Sequence, residues 1–312
     1  MSTLIGTESE RWSLSRAIDA LSESARQAGH PGSVWLAGLV YTMTVGLGLG
    51  WDGGLSHSFS RPEVRWSGEW MVALRRLPIG VFLVLSAVPC LGLMFLPLFR
   101  MSVGLARIGP AAAWKAACGD RRTPRLRTVW AAGKGLGFAA FGLWMQLALM
   151  ILGAALLGSL PISALAHVIG HSSRDPQAAA FLGALLVPIL IDLVGYAIVL
   201  SVLNQLALHS LAQNRRGVYS ALLHGWRIMR NDGWATARTV LVDLLLFVTV
   251  AMIWGVLTGG GEALGEPLQT IGAIVKFLLT GFAGVARAGY WARAYRALGG
   301  LSPDDGVPGL QA

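Results

Sequence analysis

The chain has 312 residues, of which 54% are hydrophobic and only 13% charged, too little polar surface to wrap a water-soluble core of this size. Its formal net charge of +9 would point to nucleic acid in a soluble protein, but no basic stripe with interleaved stacking aromatics is present, which excludes that class. The two cysteines, Cys90 and Cys118, form no CxxC and imply neither a disulfide framework nor a zinc site.

Residues 1–32 read as a cytoplasmic amphipathic segment. Thr7 and Glu10 have capping-box spacing, Leu14, Ile18, Leu21 and Ala25 share one helical face, and Gly29 and Pro31 end the helix. Such a helix lies on the membrane or packs on the bundle. Its length and mixed charge are unlike a secretory n-region. Residues 33–298 form the transmembrane domain, with six apolar stretches near the length a bilayer requires: Val34 to Gly50, Pro78 to Phe99, Leu136 to Leu157, Ala178 to Leu203, Thr239 to Leu257 and Gln269 to Ala288. The first is short and glycine-rich, so whether it crosses fully stays open. Small residues at four-residue spacing, Thr42, Gly46 and Gly50 on the first stretch and Gly284, Ala288 and Ala292 on the last, predict close helix packing in lipid. Residues 299–312 read as a disordered tail.

Outside Lys276, and with Arg287 at the end of the last span counted with the segment that follows it, the basic residues before, between and after the spans number three, four, eight, one, five, zero and three. Nineteen of those twenty-four lie on one side if the N-terminus is cytoplasmic, which places both ends inside by the positive-inside rule. The exception is the first outer connection, with Arg61, Arg65, Arg75 and Arg76. Arg outnumbers Lys by 22 to 3, as in a GC-rich genome, and a bacterial cytoplasmic membrane is expected.

Two cytoplasmic connections share a design: an Arg-Arg pair, an amphipathic stretch carrying Trp, and a return span. In the first, Arg121 and Arg122 precede Thr123 and Pro124, read as an N-cap and first-turn pair, and Leu126, Val129, Trp130 and Gly133 share a face. In the second, Arg215 and Arg216 precede the apolar stripe Val218, Tyr219, Leu222, Trp226 and Met229, with Ser220, His224, Arg227 and Asn231 opposite. Both read as helices at headgroup level. Arg121, Arg122, Arg125, Arg127, Arg215 and Arg216 are the candidates for anionic lipid headgroups; orienting elbows with no lipid selectivity account for them too. The fold class is therefore all-α: a polytopic six-helix transmembrane bundle with two pseudo-repeated span, elbow and span units and cytoplasmic interfacial helices.

The elbow phrases Asp120-Arg121-Arg122-Thr123-Pro124-Arg125-Leu126-Arg127 and Asn214-Arg215-Arg216-Gly217-Val218-Tyr219, with the closing Ala288-Gly289-Tyr290-Trp291-Ala292-Arg293-Ala294-Tyr295-Arg296, carry a resemblance. Over roughly Pro78 to Gly299 the chain resembles the six-span bacterial membrane families of unknown function related to the membrane domain of glycerophosphodiester phosphodiesterases. The resemblance implies a membrane module without assigned chemistry, and it carries over no functional residues.

A charge inside a span costs about 2.5–3.5 kcal/mol on insertion scales, so each needs a partner, water or a task. Asp192, one turn after Pro188, is expected to face the interior with a basic or polar partner nearby, and Lys276 of the sixth stretch either reaches toward it or snorkels outward. Asp243 and Arg287 lie at depths that let antiparallel neighbours pair. These four are structural ion pairs or the lining of a polar path, which Gln146, Asn204, Gln205 and His209 would extend. The one metal-like spacing is His167, His171 and Asp175 on an outer loop, which ordinary loop polarity also explains. No catalytic motif is present, no cofactor is implied, and no residue is assigned as catalytic. The expected function is a non-catalytic, partner-binding or lipid-associated membrane module. The alternatives are a solute or ion transporter using Asp192 and Lys276, and a metal-dependent membrane enzyme.

Overall fold

The computed structural model describes residues 12–30, 32–45, 95–119, 121–151, 153–154, 176–264 and 266–300, and every regular element among them is α-helical. The second apolar stretch lies outside the described residues except for its end, as do Thr7, Glu10, residues 301–312, the first outer connection and all but the end of the second.

Helix α1 spans Leu14–Ala28, and its N-cap is Ser13, whose hydroxyl accepts the Arg16 amide at 3.4 Å. It buries Ala17, Ala20, Ser24 and Ala28, while Leu14 and Ile18 of the predicted apolar face point outward. The side that packs is thus the small-residue side, because it lies close against another helix. Helix α2 covers Val34–Val45, the first part of the glycine-rich stretch.

The first arginine-rich connection contains more helix than its sequence suggests. Helix α3 (Leu96–Ile108) continues out of the second stretch, and short helices α4 (Ala111–Cys118) and α5 (Leu126–Ala132) follow. Arg125 rather than Thr123 occupies the N-cap of α5 and offers no side-chain hydrogen bond. The cap comes instead from far upstream, where the Ser33 hydroxyl accepts the Leu126 amide at 3.3 Å. Gly135, at φ +79°, takes the left-handed backbone a side chain would resist, and the chain turns through 75° into helix α6 (Gly137–Ile151).

Helix α7 (Pro176–Asn214) runs 39 residues straight through Pro188. Helix α8 (Val218–Asn231) is the second elbow and buries Ala221, Leu222, Gly225 and Ile228. Its aromatic residues Tyr219 and Trp226 are exposed rather than buried in the predicted stripe, and His224 is half-buried. Helix α9 (Gly233–Leu264) starts where the Asp232 carboxylate accepts the Ala235 amide at 3.0 Å, and helix α10 (Glu266–Ala297) runs back beside it. The two elbows are thus built differently: three short helices in one and a single amphipathic helix in the other.

Two described stretches, Val187–Asn214 and Gly233–Val256, are long and apolar enough to cross a membrane, and the bent pair α5 and α6 makes a third if it is one span. Ile191, Val194, Met252, Val256, Ile271 and Ile274 are all exposed, an apolar surface that water would not tolerate and lipid requires.

The core gathers around α2 and α10. Gly38 lies against the Gly281 carbonyl and Val285, Gly284 against the Gly38 carbonyl and the Thr42 hydroxyl, and Gly281 against the Trp35 carbonyl. A Cβ at Gly38 or Gly284 would overlap main-chain atoms of the facing helix. A second crossing joins α3 to α5 through Gly104 and Gly133, held by Arg100, whose Nε donates to the Trp130 carbonyl at 3.0 Å while its guanidinium sits 4.3 Å from the Trp130 ring centroid. The closing phrase at the end of α10 is central: Ala288, Tyr290, Trp291, Ala292, Ala294 and Tyr295 are all buried.

The α2–α10 crossing generates a direct test. Gly284→Val forces the two backbones apart at an overpacking cost of about 1–3 kcal/mol or more. The unfolding temperature of the detergent-solubilised protein should fall by several degrees, whereas Gly255→Ala, with open space around it, should leave it unchanged or raise it.

Candidate functional site

After Leu203 the apolar run of α7 gives way to buried polar residues: Asn204, Gln205, His209, Ser210 and Gln213. Gln205, His209 and Gln213 recur every four residues and share one face of the helix. That face meets α2 and α10. The Tyr41 hydroxyl donates to Gln205 Oε1 at 2.7 Å and lies 3.3 Å from His209 Nε2. Tyr295 stacks on His209 with ring centroids 6.3 Å apart, and Arg296 Nε donates to Gln213 Oε1 at 3.0 Å. Beside this face, Asn204 Nδ2 donates to the Val45 carbonyl at 3.0 Å, satisfying an acceptor at the end of α2.

The polar seam adjoins a closed ion pair. Arg287 donates through Nε to Asp243 Oδ1 at 2.9 Å and through its terminal nitrogen to Oδ2 at 2.7 Å, a two-pronged arrangement between α10 and α9. Asp243 is buried and Arg287 nearly so. Just beyond, the Tyr290 hydroxyl donates to the Thr239 carbonyl and Trp12 Nε1 to the Thr239 hydroxyl, each at 2.9 Å. Arg238 donates to the Trp12 carbonyl at 3.2 Å, and Arg293 reaches the Ser24 hydroxyl and the Glu23 carboxylate. These contacts strap α1 across the same ends of α9 and α10.

Of the four intramembrane charges expected to matter, the structure brings together Asp243 and Arg287. Asp192 is exposed on α7 and forms no hydrogen bond or ion pair with a described residue, a correction to its expected inward position. The reason is helical register: thirteen residues separate it from Gln205, which turns it roughly 140° away from the seam. Lys276 is half-buried, with Nζ 5.9 Å from the Trp254 ring centroid. Gln146 is half-buried on α6 and Asn204 caps α2, so neither extends the Gln205–His209 face. His167, His171 and Asp175 lie outside the described residues, among which no group of three potential ligands could hold a metal ion. Tyr41, Gln213, Tyr295 and Arg296 join the site without having been singled out; the four-residue recurrence of polar side chains after Leu203 is the signal for Gln213.

The elbow arginines form a second feature. Arg121, Arg122, Arg125, Arg127 and Arg215 are exposed, Arg216 is half-buried, and none of their guanidinium groups pairs with a described residue. Both elbows occupy one face of the molecule. Val218, at the start of α8, comes within 3.2 Å of where a Gly142 Cβ on α6 would sit. Arg107, at the end of α3, donates to the Ala132 carbonyl at 3.1 Å. Burial and then the neighbouring charge of Arg215 lower the Arg107 pKa from its ordinary value. Arg215 itself adopts the left-handed backbone at φ +50°, which costs a non-glycine residue on the order of 1 kcal/mol.

No family model, curated protein or solved structure matches this chain.

Removing one member of the Asp243–Arg287 pair strands a buried charge, at about 3–5 kcal/mol, whereas replacing both by apolar residues of similar volume costs much less. In a double-mutant cycle on the solubilised protein, D243N should destabilise more than the combined D243L and R287M variant; additive losses would show that the pair does not act as a unit.

Proposed function

We propose that this chain is a six-span, non-catalytic module of the bacterial cytoplasmic membrane, with both ends cytoplasmic, that associates with anionic lipids through its two elbows and serves a membrane partner. The carrying observation is the group of exposed elbow arginines on one face, none paired with a described residue. Basic side chains at the surface of an anionic leaflet gain roughly 1 kcal/mol each, so several together give a preference that one surface charge could not. Exposed Tyr219, Trp226 and Trp234 suit the headgroup region, where one side of a ring is wet and the other apolar. Leu14 and Ile18, outward on α1, suit the same depth. An exposed Asp192 on an apolar helix accords with a module that docks to another membrane protein.

A second reading, passage of a small polar solute or ion, draws support from the buried seam of Gln205, His209 and Gln213 rather than from Asp192 and Lys276. The resemblance to membrane domains related to glycerophosphodiester phosphodiesterases accords with the first reading.

Two measurements test the proposal. In a background where Cys90 and Cys118 are serine, R122C and R216C should resist a membrane-impermeant maleimide in intact spheroplasts and react in inside-out vesicles; the reverse pattern inverts the topology. In bilayer discs of mixed lipid, replacing Arg121, Arg122, Arg215 and Arg216 with Gln should lower the ratio of anionic to zwitterionic lipid retained by the protein in native mass spectrometry. An unchanged ratio would remove the lipid-associated reading.

A further inference from the structure

The face of α7 that meets Tyr41 and Arg296 carries more hydrogen-bonding capacity than the protein satisfies. Gln205 Nε2, His209 Nδ1, Ser210 Oγ and Gln213 Nε2 are fully buried atoms with no hydrogen-bonding partner among the described residues. Each costs about 1–3 kcal/mol if left unpaired, so four clustered within nine consecutive residues are an expense that no helix-packing role explains. The neighbouring atoms are engaged: Gln205 Oε1 accepts from Tyr41, His209 Nε2 lies 3.3 Å from the same hydroxyl, and Gln213 Oε1 accepts from Arg296. Each of the three long side chains on this face therefore has one end fixed and the other end unsatisfied, spaced one helical turn apart.

We infer that a single file of bound water molecules follows the Gln205–His209–Gln213 face of α7, connecting the Arg296 end of the seam to Tyr41. The distance from Gln205 to Gln213 along the helix is about 12 Å at a rise of 1.5 Å per residue, a run of a few water molecules. A buried water typically makes about three hydrogen bonds, and this face supplies amide, imidazole and hydroxyl groups in succession. Water fits this set because it both donates and accepts. It can accept from the two glutamine amides and meet either tautomer of His209. Arg296 is half-buried and lies one turn before the end of α10, so the thread opens at that end of the bundle. Its inner end meets the phenol of Tyr41, which donates to Gln205 and lies beside His209. The seam thus gives the Tyr41 phenol a wetted route to one side of the protein. This goes beyond the lipid-associated reading and does not depend on it.

The test uses the full-length chain with ¹⁵N-labelled glutamine and histidine, together with uniformly ¹⁵N-labelled protein for the backbone, in lipid bilayers. Water-edited solid-state NMR measures how fast magnetisation passes from water to each nitrogen, with Q205L and Q213L assigning the side-chain signals. The His209 ring and the Gln205 and Gln213 amides should build up several-fold faster than the backbone amides of Ala207 and Leu211, which are equally buried and turned away from the polar row. Build-up at His209 as slow as at Leu211 would overturn the inference. So would fast build-up at all positions alike, which would report local opening of α7 instead of a built path. If added inorganic phosphate shifts the Gln213 signal and suppresses the transfer, the seam binds an anion and the water thread is wrong.

Discussion

The contact between α2 and α10 at Gly38, Gly281 and Gly284 is the constraint on which the rest depends. Lipid tails are as apolar as leucine, so two helices in a bilayer gain little by hiding side chains from their surroundings and must gain from close dispersion contact. Removing the side chains at these three positions lets main chain meet main chain. The consequence reaches the polar groups directly. Tyr41 lies one turn beyond Gly38 and Arg287 one turn beyond Gly284, so the same crossing that joins the backbones aims the phenol at α7 and the guanidinium at Asp243 of α9.

Two kinds of polar interior then stand side by side. Asp243 and Arg287 satisfy each other through a two-pronged set of hydrogen bonds, the arrangement that makes a charge tolerable at low dielectric. The α7 face is different, since Gln205, His209 and Gln213 are each held at one end only. A pair that closes on itself fixes the register of two helices. A row of half-satisfied groups has hydrogen bonds to offer something small and polar. The same α2–α10 crossing positions both regions, since Tyr41 of α2 touches the row and Arg287 of α10 closes the pair.

In α1 and α8, small residues pack inward and large apolar residues point out. Helix α1 buries Ala17, Ala20 and Ser24 while Leu14 and Ile18 are exposed, and α8 buries Ala221 and Gly225 while Tyr219 and Trp226 are exposed. A water-soluble protein would reverse that arrangement. At a bilayer surface it allows close helix packing on one side and contact with the headgroup region on the other. The exposed elbow arginines flank the same helices.

The helical class, the apolar stretches and the arginine-rich elbows were legible in the residue pattern, because hydrophobic length and basic charge act locally and need no partner to be recognised. The pairing of Asp243 with Arg287 was partly legible, since residues at matching depths on antiparallel spans have few other partners. The direction of Asp192 was not: rotation of α7 about its axis is set by which face α2 and α10 grip, and thirteen residues of helix carry that rotation far from the point of contact. Nor was the cap on α5, which Ser33 provides from 93 residues away while the nearby Thr123 goes unused. The sequence by itself determined the solvent of each segment and its helical state. The tertiary structure alone decided which face of each helix turns inward, because that depends on close contacts between distant glycines, and no local periodicity records where those contacts fall.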